Sequence, residues 1–190
     1  MLFICLEGLD GVGKSTVGKI IAKKMCGVFL QTPGEPYKAI RCRIDAENCL
    51  FTRYYFYLSS VYRLSNWLKQ SKDNIAICDR YLYSTLAYNW PHTDNPDCQE
   101  WGKHSELLKP DITFFLAASF KMRQTRLLYR KKSTERIVPD DTNPQVQMLA
   151  ANRYAKFNDM VVVDTEDISA NETASCIISH LHEVGLHDLY

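Results

Sequence analysis

No uncharged apolar stretch in these 190 residues approaches the ~20 needed to cross a bilayer, so neither a membrane-spanning helix nor a membrane partner is expected. The apolar run nearest the N-terminus, Leu2 to Leu6, has no basic segment before it and an acid directly after it, and reads as a strand rather than a signal peptide. Charge of one sign is missing as well. Lys and Arg number 23 against 22 Asp and Glu, and a formal net charge of +1 gives no chain-wide attraction for nucleic acid. Basic chemistry therefore has to be local, which suits a small polyanionic ligand. The cysteines Cys5, Cys26, Cys42, Cys49, Cys78, Cys98 and Cys176 are odd in number and contain no CxxC pair, which favours reduced thiols in a cytoplasmic compartment over disulfides or a zinc site. His180 and His182, two positions apart on an expected helix, point to different sides and belong to no metal-ligand pattern. No guanine-reading NKxD-type motif occurs, which argues against a GTP-driven switch.

With 46% hydrophobic and 24% charged residues the chain can bury the core of one compact domain over 1–190, and no repeat, low-complexity tract or linker divides it. Five short apolar runs, LFICLE, VFLQ, IAICD, ITFFLA and MVVVD, read as strands and alternate with longer helical patterns, the signature of an α/β fold with a parallel sheet. Between the first two, Val17, Ile20, Ile21 and Met25 follow helical spacing and Gly27 stops the helix, making a βαβ unit. Cys49 to Lys72 contains no proline or glycine and predicts one long helix, whose dense aromatics are either core packing or the wall of a base-binding site. Two prolines with Asp and Asn make 90–98 a loop before a short helix ending near Leu108. Lys131 to Asp141 is a second polar loop, and 168–186 reads as a closing amphipathic helix.

Gly8, Leu9, Asp10, Gly11, Val12, Gly13, Lys14 and Ser15 match GxxxxGK[ST], directly after a strand and directly before an amphipathic helix. The glycines let the backbone curl so that N–H groups point inward, and the helix presents its positive end, so the loop through Thr16 is expected to cradle the phosphates of ATP. Lys14 is expected along the β- and γ-phosphates and the Ser15 hydroxyl on Mg²⁺. The fold class that follows is a P-loop NTP hydrolase-type three-layer sandwich, a five-stranded parallel sheet with helices on both faces and a short lid.

IAICD ends in Asp79, a carboxylate at the carboxyl end of a strand beside the phosphate loop, where it orients a metal or its waters; an N-cap or a structural ion pair is the ordinary alternative. Arg80 follows at once and offers a planar fork of donors to a phosphate lying between donor and acceptor sites. Arg123, Arg126 and Arg130 recur every three or four residues on one helix face and run through Lys131, Lys132 and Arg136 into STERIVPDD, a polar loop suited to closing over nucleotide; a solvated surface gives the same pattern. Arg126 is assigned to the ATP side. Phosphoryl transfer rests on alignment and charge neutralisation more than on acid or base chemistry, so the basic residues carry the expectation.

The segments LEGLDGVGKST, CDRYLYSTLAY, KPDITFFLA and TRLLYRKKSTER resemble the thymidylate kinase family from Leu2 to about Phe157 and loosely beyond, DRYxxSxxAY being the most specific. The resemblance implies transfer of the γ-phosphoryl group of ATP to a nucleoside monophosphate, dTMP first. By it, Asp10 lies near the acceptor sugar and metal, Asp79 near metal, Arg80 on the acceptor phosphate, and Ser84 and Tyr88 on the acceptor side. Arg63, on the aromatic helix, takes the place of the arginine aimed at the pyrimidine base, with Phe56 as its stacking partner. Gly11 stands where some members carry an arginine, so charge beyond that of Lys14 and Arg80 is expected from the lid, from Arg130 or Arg136. TPGEPYK keeps Glu35 and Pro36 of an REPGG-like loop but lacks its arginine, leaving Arg41 or Lys38 for the phosphate, and Asn89 replaces a glutamine after AY. LLKPDITFFLA and the middle region are also similar to the mitochondrial-type UMP-CMP kinase of the same superfamily, which keeps UMP and CMP as alternative acceptors. A nucleotide-binding protein without turnover is a further alternative. Family members pair through helices, which implies a homodimer with the aromatic helix as its surface.

Overall fold

A computed structural model of the protein describes residues 1–47, 49–134 and 143–186, with side chains throughout except at 130–134. The expected lid beyond 134, Arg136 in it, and the side chain of Arg130 lie outside the described residues.

The five apolar runs form β1 (Leu2–Glu7), β2 (Val28–Gln31), β3 (Ile75–Asp79), β4 (Ile112–Ala117) and β5 (Val161–Asp164). They make one parallel sheet in the order β2-β3-β1-β4-β5, the α/β architecture expected. Met160, counted with the last run, lies outside β5. Parallel strands need crossovers, and these are supplied by α1 (Lys14–Lys24), α2 (Tyr37–Asp45), α3 (Leu50–Gln70), α4 (Leu82–Asn89), α5 (Glu100–Lys103), α6 (Phe120–Thr134) and α7 (Pro144–Tyr154), while α8 (Ala170–Glu183) follows the last strand. Ligands in such sheets bind outside the carboxyl ends of the strands where the strand order reverses, here around the central strand β1.

Alternation along β1 divides the core between the two faces of the sheet. Phe3 and Cys5 join Tyr54, Leu58, Val61 and Leu68 on the face covered by α3, α4 and α7. Leu2, Ile4 and Leu6 join Ile21, Phe114 and Ile177 on the face covered by α1 and α8. Each large apolar side chain so buried contributes about 1.5–3 kcal/mol against leaving it in water. The buried residues of α3, at 54, 58, 60, 61, 65 and 68, keep helical spacing, so one face of the aromatic helix belongs to the core. Cys5 and Cys78 sit opposite one another in the β1–β3 register, and burial pushes both thiols up, away from the reactive thiolate form.

Three local differences from the sequence reading have simple causes. Residues 131–134, read as the start of the polar loop, continue α6, because Lys131 and Lys132 are good helix formers and no proline or glycine stops the helix before Thr134. The short helix before Leu108 is confined to Glu100–Lys103 and is followed by turns. Helix α2 had no counterpart in the reading, since the prolines and glycine of TPGEP mark a loop and conceal the short helix behind it. The C-terminal helix is capped as its sequence allows: the Ser169 hydroxyl accepts from the Glu172 N–H at 3.2 Å while the Glu172 carboxylate accepts from the Ser169 N–H at 2.8 Å. Among the described residues no helix is long and apolar enough to cross a membrane.

Candidate active site

The phosphate loop leaves the end of β1 and turns into α1 through backbone that only glycine adopts easily. Gly11 has φ +89°, and a Cβ built on it would lie 2.7 Å from the Arg123 carbonyl oxygen. An arginine at that position has no room here, because α6 already packs against the loop. The Arg123 guanidinium donates to the Asp10 carbonyl at 3.3 Å and to Gln147 Oε1 at 2.8 Å, which ties α6 and α7 to the loop. Lys14 is buried, and its Nζ donates to the carbonyls of Gly8 at 2.9 Å and Leu9 at 2.8 Å, folded back along the loop. Burial, then the nearby Arg80 charge, lowers its pKa from 10.5 to about 8.

The Ser15 hydroxyl donates to Asp79 Oδ2 across the gap between α1 and β3. Asp79 is buried, and its other oxygen, Oδ1, has no hydrogen-bond partner among the described residues. A hydroxyl and a carboxylate with a spare buried oxygen at the mouth of a phosphate loop are hard oxygen donors of the kind that hold Mg²⁺ or its waters. Beside them opens a cleft of about 900 Å³, lined by the loop from Asp10 through Val17 and on the far side by Arg126, Thr165 and Ser169. Arg126 is held on that wall, its Nη1 donating to Thr165 Oγ1 at 3.1 Å and its Nη2 to the Thr165 carbonyl at 2.5 Å. Thr16 is exposed to the cleft, whereas Val12 is buried beneath it.

A second constellation sits at the carboxyl end of β3. Arg80 is a non-glycine residue in the left-handed region, φ +70°, locked there by its N–H donating to the Leu6 carbonyl at 3.0 Å and by the Thr32 hydroxyl donating to its own carbonyl at 2.8 Å. The guanidinium is thereby aimed inward. It pairs with Asp10, donates to Ser84 Oγ at 3.1 Å and lies over the Tyr88 ring, 4.9 Å from its centroid. The Tyr88 hydroxyl donates to the other Asp10 oxygen at 3.0 Å. Burial alone raises the Asp10 pKa, but the Arg80 and Lys14 charges and the Tyr88 hydrogen bond outweigh it and hold the carboxyl well below the usual range. The same pairing, against burial, holds Arg80 firmly charged.

Of the residues proposed for the acceptor side, Asp10, Arg41, Arg80, Ser84, Tyr88 and Asn89 line one cavity next to the ATP cleft. Arg41 is fixed there by Asp45 Oδ2 at 3.1 Å and the Tyr57 hydroxyl at 2.9 Å. Asp10, Arg41 and Arg80 line both the cavity and the cleft.

The structure does not bring Arg63, Phe56, Glu35 or Pro36 to this cavity. Arg63 is exposed, and Arg53 and Tyr57 of α3 line the wall instead. Helix geometry explains the exchange: ten residues on from Arg53, Arg63 is about 15 Å along the axis and roughly 80° around it. Phe56 packs against Tyr37 at 5.4 Å and Tyr57 at 5.2 Å between ring centroids. Glu35 and Pro36 are exposed in the turn before α2. Glu7, Arg53, Tyr57, Thr85 and Gln147 line the cavity or support it and carry no assignment in the sequence reading, and Arg123, read there only as part of the basic run, ties α6 to the phosphate loop. The signals were a strand ending in an acid beside the phosphate loop, and Arg53 and Tyr57 at i, i+4 on one helix.

Known proteins of one family are similar to this chain along most of its length. The thymidylate kinase family model matches residues 6–174. The probable thymidylate kinase of Methanocaldococcus jannaschii is 28% identical over 189 residues, covering 96% of this chain and 97% of that one. The probable thymidylate kinase of Pyrococcus horikoshii is 30% identical over 177 residues, covering 83% of each chain. Among solved structures, thymidylate kinase from Candida albicans superposes with a TM-score of 0.76 at 20% identity, covering 97% of this chain and 92% of that one. A deoxyadenosine kinase from M. mycoides with bound dATP superposes with a TM-score of 0.65 at 21% identity, covering 94% and 98% of the two chains, and shares the fold. With a family match over nearly the whole chain and a phosphate loop facing the half-buried Arg80, the chain belongs to the thymidylate kinase family of ATP-dependent nucleoside monophosphate kinases.

Proposed function

We propose that the protein transfers the γ-phosphoryl group of ATP to dTMP, giving dTDP, across the shared wall of the two cavities. One observation carries the reading: Asp10, Arg41 and Arg80 line both the ATP cleft and the acceptor cavity, so two cations stand where donor and acceptor phosphates would meet. The loop from Gly8 to Thr16 holds the ATP phosphates, with Gly11, Val12 and Gly13 supplying backbone N–H groups and Lys14 turning from the Gly8 and Leu9 carbonyls to the β- and γ-oxygens. Arg126 borders the nucleoside end of the cleft. Arg80, with Arg41, grips the acceptor phosphate, Asp10 and Tyr88 face the acceptor sugar, and Ser84 and Asn89 complete that wall. Ser15 and Asp79 hold Mg²⁺, which when bound neutralises charge on the transferring phosphates. Arg130 and Arg136 are retained as candidates for the lid charge; loss of the one that acts slows turnover by roughly a thousandfold or more.

A cytoplasmic homodimer that binds no nucleic acid completes the reading, supported by the near-zero net charge and by exposed Phe51, Tyr55 and Trp67 on α3. Sedimentation at micromolar concentration tests the dimer, and a sole monomer species removes it. The activity is tested by coupled ADP release with ATP and Mg²⁺ against dTMP, dUMP, UMP, CMP, dCMP, AMP and thymidine. The fastest turnover is expected with dTMP. Preference for UMP or CMP would move the specificity to the other branch, and no ADP with any acceptor would leave a nucleotide-binding protein without turnover.

A further inference from the structure

Glu7 is fully buried at the end of β1, one residue before the phosphate loop, and forms no ion pair among the described residues. Its Oε1 accepts from the backbone N–H groups of Tyr81 at 2.9 Å and Ser84 at 3.1 Å, the first turn of α4. Its Oε2 accepts from the Ser84 hydroxyl and from the Tyr154 hydroxyl of α7 at 2.9 Å. One carboxylate thus joins the strand that leads into the ATP cleft, the helix that carries the acceptor residues and a helix that borders the lid segment.

The direction of these bonds matters. A carboxylate only accepts, and a guanidinium only donates. Ser84 has one proton and two acceptors within reach, Glu7 Oε2 and the Tyr154 hydroxyl at 2.8 Å; because the Tyr154 hydroxyl also turns its proton to Glu7, the carboxylate is the stronger acceptor and draws the Ser84 proton inward, which leaves lone pairs of Ser84 Oγ facing Arg80 Nη1 at 3.1 Å. The chain of bonds runs Arg80 to Ser84 to Glu7 with one polarity, and Arg80 is turned by it toward the junction of the two cavities. We infer that Glu7 is a positioning residue for phosphoryl transfer, setting the Ser84 hydroxyl so that Ser84 and Asp10 together hold the Arg80 fork for the acceptor phosphate.

This inference rests on the acceptor role proposed for Arg80. Glu7→Gln keeps the shape but puts an amide donor or a weaker neutral acceptor on Ser84, so the polarity is no longer imposed. The expected result is a fall in kcat/KM for dTMP of about tenfold or more, with KM for ATP changed less than about twofold and thermal unfolding still cooperative. A double-mutant cycle with Ser84→Ala separates positioning from simple support: in the Ser84→Ala background, Glu7→Gln should cost less than about threefold. Additive losses in that cycle, or equal damage to the dTMP and ATP constants, overturn the inference. Should Glu7→Gln fail to fold, Glu7→Asp, which keeps the charge but withdraws the carboxylate from Ser84, enters the same cycle and is read by the same criterion. Arg80→Ala with unchanged dTMP kinetics would refute the role of Arg80 itself, whereas an inactive Arg80→Ala beside an unaffected Glu7→Gln would refute Glu7 alone.

Discussion

Arg80 and Asp10 form an ion pair at the point where the ATP cleft and the acceptor cavity meet, one residue coming from the turn after β3 and the other from the phosphate loop after β1. Both side chains are mostly buried, 17% and 16% exposed, so each charge depends on the other, and loss of one partner is felt by the second.

The kinetic consequence is direct. Arg80→Ala should lower kcat/KM for dTMP by about a hundredfold or more while KM for ATP stays within about threefold, because the contact proposed for Arg80 is with the acceptor phosphate. Arg80→Lys should recover only part of the loss, since an ammonium cannot reach Asp10, Ser84 and a phosphate with one planar fork. Steady-state rates with each substrate varied in turn check both.

The same pair makes stability depend on acid. Asp10 titrates below its ordinary value of 3.8 in the folded protein, so its stabilising contribution is complete above about pH 4 and is lost as pH falls through the depressed folded value. Arg80→Ala removes the largest charge holding Asp10 down. Thermal unfolding followed from pH 6 downward should therefore show a shallower acid loss in the variant than in the wild type; identical slopes would mean that the pair contributes nothing to folding.

Lys14 gives a signal on the basic side. Its pKa of about 8 in the nucleotide-free protein leaves the amine partly neutral above neutral pH, whereas the phosphates of ATP favour the charged form. Binding ATP at pH 8.5 should take up a proton, and affinity should fall as pH rises through about 8, by up to about tenfold per pH unit. Calorimetry in buffers of different ionisation enthalpy measures the uptake, and it should vanish in Lys14→Met. Equal proton uptake in the variant would assign the titration elsewhere.

The strands and the phosphate loop were legible because their signals are local. Alternation such as that of LFICLE needs only neighbours, and the glycine spacing records backbone that no other residue enters cheaply. Arg80 was legible for a similar reason, since a strand-end acid followed by an arginine is a short motif. The wall formed by α3 was not. Arg53 and Arg63 lie on the same helix, aromatics surround both, and only the packing of Tyr54, Leu58 and Val61 against the sheet decides the rotation of that helix. Glu7, the last residue of an apolar strand, was hidden because its partners Ser84 and Tyr154 lie 77 and 147 residues away.

The tight approach of α6 to the phosphate loop predicts a cost at Gly11. An alanine there must accept φ +89° and place its Cβ 2.7 Å from a backbone oxygen that cannot swing aside. Gly11→Ala should lose about 1–3 kcal/mol, a fall of roughly 3–10 °C in Tm for a domain of this size, and ATP affinity should weaken with it. Gly11→Arg should be worse on both counts. Calorimetric unfolding with and without ATP checks this, and an unchanged Tm in Gly11→Ala would show that α6 yields freely.

The rotation of α3 can be read in substrate kinetics. Arg53 lines the acceptor cavity together with Arg41, Asp45 and Tyr57, while Arg63 is exposed on another side of the same helix. Truncating an arginine on the cavity wall removes both charge and packing from the site, so Arg53→Ala should raise KM for dTMP about tenfold or more. Arg63→Ala is a surface change and should leave KM and kcat within about twofold and stability within about 0.5 kcal/mol. KM for ATP serves as the internal control and should hold steady in both variants. If Arg63→Ala gives the larger effect on dTMP, the helix presents its other face to the acceptor during turnover, and the cavity described here closes or rotates before the phosphate is transferred.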